Sequence, residues 1–217
     1  MKRRSATPWK KSRTYGDIHG GRARPRLADN VFALVHSLRP PAPGRSTPIL
    51  VQDNPSSAFS FPVAIEELAA ALSRLPAGHA EGLTHIWLRR RPGRGRALLP
   101  LAEFVRGSGV SAIVLYPWPR DGKLDLGRDR LPSRTTAAYL RFGGQVAREH
   151  GRWHVRFAAE SDLRRFVVEH LFCHELGHHV DWYRRRWSKA NVRRVEEYAD
   201  QFAARWGPLA ATALSER

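Results

Sequence analysis

The segment at residues 166–182 constrains the fold more than any other, because its pattern requires a helix with two histidines on one face. Within it, residues 174–178 read H-E-L-G-H, an H-E-x-x-H motif between apolar stretches. Residues four positions apart lie above one another on an α-helix, so His174 and His178 direct two imidazoles toward one point. Such a pair suits a tetrahedral zinc ion. Glu175 can then reach a water molecule on that ion rather than the ion itself.

A second segment supplies the carboxylates that such a site still needs. Glu196 and Asp200 are four positions apart in a predicted final helix and therefore share one of its faces. One carboxylate can complete a site of two histidines and one acid, the composition of catalytic zinc sites that leave a position for water. The other can accept the spare ring N–H of a ligating histidine and fix its tautomer. Ala199 and Ala203 keep this helix thin, so it can pack closely on the first.

Together the two segments resemble the gluzincin metallopeptidases, which carry H-E-x-x-H on one helix and E-x-x-x-D, often E-x-x-A-D-x-F-A, on the next. Residues 196–203 read E-E-Y-A-D-Q-F-A. The order of elements is most similar to the minimal gluzincins of the ImmA/IrrE type, intracellular bacterial peptidases that act on regulatory DNA-binding proteins. The resemblance implies one zinc ion per chain with three ligands: His174, His178 and Glu196. It also implies that Glu175 is the general base and that Asp200 orients His174.

Two features depart from the ImmA/IrrE type. The Gly-Leu-Leu-Met-Pro-like segment that often follows the glutamate helix is replaced by R-W-G-P at residues 205–208, so the subfamily and the substrate do not follow. The His-Val-Asp extension at residues 179–181 is similar to lethal-factor-like toxin peptidases. Their ligand spacing is usually longer than the 18 positions between His178 and Glu196, which ranks them second.

The resemblance implies a zinc-dependent endopeptidase that hydrolyses peptide bonds of an intracellular protein partner through a zinc-activated water, with Glu175 as general base. The donor to the oxyanion does not follow from the sequence, which offers four candidates: His170, His179, Tyr183 and Tyr198. The alternative is a basic regulatory protein associated with nucleic acid, in which the zinc site senses or stabilises. Glu175 argues against a purely structural metal, because such a site has no use for a carboxylate that is not a ligand.

Cysteine content, net charge and the length of apolar runs limit the kind of site, partner and cellular location that this chain can have. The chain has 217 residues and one cysteine, so a disulfide framework within the chain and a cysteine-rich zinc site are excluded. The net charge of +17 favours contact with polyanions such as nucleic acid, and a merely solvated basic surface is an equally good interpretation. No apolar run approaches the ~20 residues of a membrane span, and no apolar stretch follows the basic N-terminus as in a signal peptide. We therefore expect a soluble, cytoplasmic protein.

The order of elements predicts an α+β, zincin-like fold in which a backing helix and a small, mostly antiparallel sheet support the two motif helices. Residues 1–26 are predicted to be a flexible basic arm, and residues 27–217 one domain with its motif core at 137–207. The arm and the Arg-rich loops, such as 89–96, are the places where nucleic acid would bind.

Periodicity and turn residues place the elements. Strands are predicted at 48–51, 83–88, 111–116, 123–126, 138–142 and 153–157, and helices at 62–75, from Ser161 or Asp162 to about 186, and from about 190 to Gly207-Pro208. A helix-like turn is predicted at 101–106, and a hairpin is predicted to join 138–142 to 153–157. An extended peptide is expected to add to the strand before the H-E-x-x-H helix or to 139–142.

Overall fold

The computed structural model describes residues 38–91, 100–107, 109–185 and 192–215. The basic arm predicted at 1–26 and most of the Arg-rich loop at 89–96 lie outside these residues. Among the residues described, no helix combines the length and the apolar character that crossing a bilayer requires. The described residues combine helices with small sheets, so the mixed α+β class is confirmed.

Four strands form the central sheet: β1 (Ile49–Gln52), β3 (His85–Leu88), β4 (Ala102–Gly107) and β5 (Val110–Leu115). Their order is β1-β3-β5-β4, in which the first three are parallel and β4 runs antiparallel to β5 at the edge. The expectation of a mostly antiparallel sheet is therefore wrong for the central sheet. The cause is the order of β1, helix α1 (Ile65–Ser73) and β3, because a helix between two adjacent strands is the crossover that parallel pairing requires.

Two small antiparallel sheets make up the rest of the β structure in the described part of the chain. The first pairs β2 (Phe59–Ser60) with β6 (Trp118–Pro119). The second has the order β7-β9-β8 and consists of β7 (Lys123–Gly127), β8 (Gly144–Glu149) and β9 (Arg152–Phe157). The strands predicted near 48–51, 83–88, 111–116, 123–126 and 153–157 are confirmed.

The remaining helices are α2 (Ser133–Arg141), α3 (Glu160–Arg165), α4 (Cys173–Arg185) and α5 (Val192–Ala211). A π-helical segment, Phe166–Phe172, joins α3 to α4, so the long helix predicted from about 161 to 186 is confirmed with a wider turn in its middle. The N-cap of α3 is Ala159, which makes no side-chain hydrogen bond, so the predicted caps at Ser161 and Asp162 are wrong. Short 3₁₀ turns at Ala77–His79 and Thr212–Ser215 follow α1 and α5.

Residues 138–142 are not the predicted strand, because they belong to α2 and its C-cap. Tyr139 and Phe142 are three positions apart, and both are buried against Phe166, so the helical face buries two rings that alternation in a strand would separate. The predicted hairpin exists, but its first strand is β8, which begins after the turn at Gly143.

Residues 101–106 are also corrected, from a helix-like turn to strand β4. The glycines at 107–109 resemble a helix end in the sequence and instead reverse the chain into β5. Gly109 has φ 77°, in the left-handed region that glycine adopts without steric cost. This hairpin places β4 beside α4 at the open edge of the sheet.

Helix α5 continues through Gly207 and Pro208 to Ala211, so its predicted end is wrong. The turn that holds these two residues packs on the π-helical segment, where a Cβ on Gly207 would stand 2.3 Å from the carbonyl oxygen of Glu169. Close tertiary packing overrides the usual tendency of a Gly-Pro pair to end a helix. The main core lies between the inner face of the central sheet and α1, α4 and α5, around Leu68, Ile113 and Leu176, which are completely buried.

Candidate metal centre

Helices α4 and α5 approach each other closely where Gly177 faces Ala199. A Cβ on Gly177 would stand 2.9 Å from the Ala199 Cα and 3.0 Å from the Cβ of Phe202. Ala199 and Ala203 are buried, as expected for a thin helix that packs closely. This crossing brings the histidines of one helix to the carboxylates of the other.

The structure brings together the three side chains that the resemblance implies as metal ligands. The Nε2 atoms of His174 and His178 lie 3.1 Å apart. Each of these atoms lies 3.5 Å from one oxygen of the Glu196 carboxylate. Zn–N and Zn–O bonds of about 2.0–2.1 Å in a tetrahedron separate the ligand atoms by roughly 3.3 Å. The three groups therefore lie at separations that fit one tetrahedral metal ion.

Glu175 is also close to the imidazoles, since one atom each of His174, Glu175 and His178 lies within 4.8 Å of the others. This closeness alone would make Glu175 a possible ligand in place of Glu196. We favour Glu196, because its two oxygens face both imidazoles at nearly tetrahedral spacing. The Glu175 carboxylate instead accepts a hydrogen bond from the backbone N–H of Phe104 in β4.

The charge states of His178 and Glu196 suit metal binding at neutral pH. Burial, together with the neighbouring His174, lowers the pKa of His178 to about 4, so its imidazole is neutral. Hydrogen bonding to His174 lowers the pKa of Glu196 to about 2 against the opposing effect of burial, so its carboxylate is ionised. The lone pair of the neutral His178 imidazole and the charge of the Glu196 carboxylate favour a cation between them.

Asp200 stands where a residue that orients His174 should stand. Its Oδ1 lies 3.0 Å from the Nδ1 of His174, although the angle falls short of a hydrogen bond in this rotamer. Burial acts to lower the pKa of His174, but the hydrogen bond to Glu196 and the charges of Glu175, Glu196 and Asp200 raise it. A small rotation of the ring would place the Nδ1–H on Asp200 and leave Nε2 free for a metal.

Glu175 is buried beneath the edge of the central sheet. Burial raises the pKa of its carboxyl group to about 7, and the nearby His174 and the Phe104 N–H partly offset this effect. The backbone N–H of Tyr116, which follows β5, donates to the carbonyl oxygen of Leu101. From Leu101 onward, every second residue therefore hydrogen-bonds to the β5 side. The N–H groups of the residues between them, including Phe104 and Arg106, face the open edge. Glu175 thus lies against that open edge.

A cleft of about 750 Å³ opens over these groups. Its walls come from α2, α5, the π-helical segment and the start of β4, and they include Arg134, Tyr139, His170 and Leu171. Much of the wall is apolar, and the carboxylates and imidazoles lie together on one side. A cleft of this kind, with convergent polar groups and strongly shifted pKa values, is typical of an active site.

The four oxyanion candidates fall in different places. His170 lines the cleft. His179 is buried against the sheet, where it contacts Ser111 Oγ at 3.1 Å and the carbonyl oxygen of Glu81 at 2.9 Å. Tyr198 packs against the ring of Phe202 in the main core, and the side chain of Tyr183 lies outside the described part of the chain. Of these candidates, His170 is therefore the one that the cleft supports.

Sequence reasoning missed Arg134 of α2. Its Nε lies 2.6 Å from Asp200 Oδ2, and its Nη2 lies 2.8 Å from Asp200 Oδ1 and 3.2 Å from Glu196 Oε2. Nothing in the sequence distinguishes this arginine from many others, because the contact depends on how α2 meets α5.

Comparisons with known proteins give no family assignment. No protein-family model, no curated protein and no solved structure matches this chain.

Proposed function

We propose that the protein is a zinc-dependent endopeptidase that hydrolyses peptide bonds of a protein partner. The observation that carries the proposal is the convergence of His174, His178 and Glu196: the two Nε2 atoms lie 3.1 Å apart, and they lie 3.5 Å from Oε2 and from Oε1 of Glu196, respectively. These separations suit three ligands of one tetrahedral zinc ion. When bound, zinc would lower the pKa of a water molecule and polarise the scissile carbonyl.

Glu175 is the general base in this proposal. It takes a proton from the attacking water as the oxygen bonds to the carbonyl carbon, and it then delivers that proton to the amide nitrogen as the C–N bond breaks. The proton acceptor and the proton donor are therefore the same carboxyl group, and no further reactant is needed. A pKa raised to about 7 by burial suits both roles near neutral pH.

The open edge of β4 is the proposed binding surface for an extended peptide. β4 pairs with β5 on one side, and the N–H groups on its other side point away from the sheet, where that of Phe104 meets Glu175. Leu101 and Ala102, at the start of the strand, line the cleft. A peptide strand that added there would place its backbone next to the base. Neither site expected from the sequence suits this role, because β9 is paired on both sides and 139–142 are helical up to a C-cap at Phe142.

Metal analysis together with Glu175→Gln provides the test. The purified wild-type protein should hold about one zinc ion per chain, and it should cleave members of a mixed peptide library. Glu175→Gln should keep the zinc and lose the cleavage, because glutamine cannot take up the proton. Glu197→Gln is the matched control, since Glu197 is an exposed residue of α5 that pairs with Arg193.

Three outcomes separate the possibilities. Absence of bound zinc from the purified protein would contradict the proposal. Zinc without cleavage by the wild type would remove the enzyme and leave a structural or sensing metal, whereas cleavage that survives in Glu175→Gln would remove Glu175 as the general base. Such a metal, combined with a cellular requirement for the Arg-rich loop at 89–96, would favour the alternative of a protein associated with nucleic acid.

A further inference from the structure

We propose that Arg134 is a positioning residue that orients the metal-binding groups from the opposite wall of the cleft. The inference rests on the proposed zinc site and adds a residue from α2, outside both motif segments. Its basis is that one guanidinium contacts both acidic side chains of that site, Glu196 and Asp200.

The contact between Arg134 and Asp200 is a bidentate salt bridge. Nε and Nη2 of Arg134 approach the two carboxylate oxygens of Asp200 at 2.6 and 2.8 Å. This planar fork fixes both the position and the rotation of the carboxylate, which a single ammonium group cannot do. Nη2 also lies 3.2 Å from Oε2 of Glu196, so the two acids are held at a set separation.

The same contacts reach two of the three proposed ligands. Glu196 is contacted directly by Arg134. His174 is reached through Asp200, because Oδ1 of Asp200 accepts from Arg134 and lies 3.0 Å from Nδ1 of His174. Arg134 therefore sets the rotation of the carboxylate that selects the tautomer of His174.

An ordinary surface ion pair is the competing explanation, because half of the Arg134 side chain is exposed. Exposed pairs typically contribute little to the free energy of unfolding. Removal of Arg134 should then leave both stability and zinc affinity nearly unchanged. A positioning residue should instead leave stability nearly unchanged and weaken zinc binding, so the two explanations differ in one measurable quantity.

The charge of Arg134 gives a second distinction. A cation near a metal site repels the metal, so loss of the charge alone would tighten zinc binding. Loss of the orientation would weaken it, and outer contacts to metal ligands typically account for about 10–100-fold in affinity. Because Asp200 and Glu196 already neutralise the guanidinium, we expect the loss of orientation to dominate.

The test measures zinc affinity by competition with a chelating dye, with cobalt(II) absorption as a readout of ligand geometry. Arg134→Met should weaken zinc binding about tenfold or more and change the cobalt spectrum. Arg134→Lys should recover only part of the affinity, because it restores the charge without the fork. Arg141→Met is the matched control from the same helix, and its zinc affinity should equal that of the wild type.

A double variant tests the connection through Asp200. If Arg134 acts on His174 through Asp200, Arg134→Met combined with Asp200→Asn should weaken zinc binding by less than the product of the two single effects. Unchanged or tighter zinc binding by Arg134→Met would overturn the inference, and should that variant fail to fold, Arg134→Lys decides by the same criterion. Failure of the wild type to bind zinc would instead overturn the proposed function.

Discussion

Gly177 of α4 lies so close to Ala199 of α5 that a Cβ on the glycine would stand 2.9 Å from the Ala199 Cα. Real Cβ contacts are essentially never this short, so the backbones of the two helices touch at this point. His178 follows Gly177 directly, and Glu196 lies one turn before Ala199. The distance between the two helices therefore sets the distance between the imidazoles and the carboxylate.

Gly177→Ala should separate the two helices. The added methyl group meets backbone atoms that cannot rotate away, so we expect the free energy of unfolding to fall by about 1–3 kcal/mol, as in overpacked cores. Zinc affinity should fall as well, because Glu196 would move away from both histidines. Denaturant titration and zinc competition measure the two effects.

Gly207→Ala is the comparison for that prediction. Its Cβ would stand 2.3 Å from the carbonyl oxygen of Glu169, so the loss of stability should be at least as large as for Gly177→Ala. The added methyl group would contact the π-helical segment and not the crossing of α4 and α5, so zinc affinity should change less. A Gly177→Ala protein with wild-type stability would contradict the close approach.

Zinc binding should weaken as the pH falls. The pKa of His174 is raised above its ordinary value, so a proton on His174 competes with the metal below that raised pKa. Affinity should then fall about tenfold per pH unit below that pKa, with a steeper fall below about pH 4, where His178 also takes up a proton. Measurement in the Glu175→Gln protein isolates the histidines, because the wild-type Glu175 carboxyl titrates in the same range. Zinc affinity that is constant between pH 5 and 8 would exclude competition by His174.

The stability of the metal-free protein should depend on pH through Glu175. Its pKa is raised to about 7 in the folded state from 4.5, so the folded state holds a proton that the unfolded state releases between these values. The contribution of Glu175 to the stability of the wild-type protein should therefore be lost as the pH rises from 4.5 to 7. Glu175→Gln removes this loss and should be more stable relative to the wild type at pH 8 than at pH 5. An equal difference at both pH values in denaturant titrations would show that burial does not shift this carboxyl.

The pairing of the proposed site residues could be predicted from the sequence because each pair depends on local spacing. Residues four apart share a helical face in any fold, which places His174 beside His178 and Glu196 beside Asp200. The contact of Arg134 with Glu196 joins residues 62 positions apart, and it requires that the chain around residue 138 be helical. Local patterns do not contain that information.

The central sheet shows the same difference between local and distant information. Each of its strands except β4 is visible in the sequence as a short apolar run. The direction of a strand, however, depends on the connection between it and its neighbour. The succession of β1, α1 and β3 does predict parallel pairing, since adjacent parallel strands need a crossover. The edge strand β4 was missed because glycines at 107–109 are compatible with both a helix end and a hairpin.

Peptide binding at the open edge of β4 can be tested by removal of one backbone donor. The N–H of Arg106 faces away from β5, so Arg106→Pro removes it without breaking the ladder between the two strands. Arg106→Ala is the control, because the arginine side chain also stacks on Trp182 and its loss must be counted separately. Relative to Arg106→Ala, the proline variant should raise KM for a library peptide and leave kcat nearly unchanged, because the lost bond holds substrate and Glu175 is untouched. Equal KM values for the two variants would show that substrate does not add to this edge.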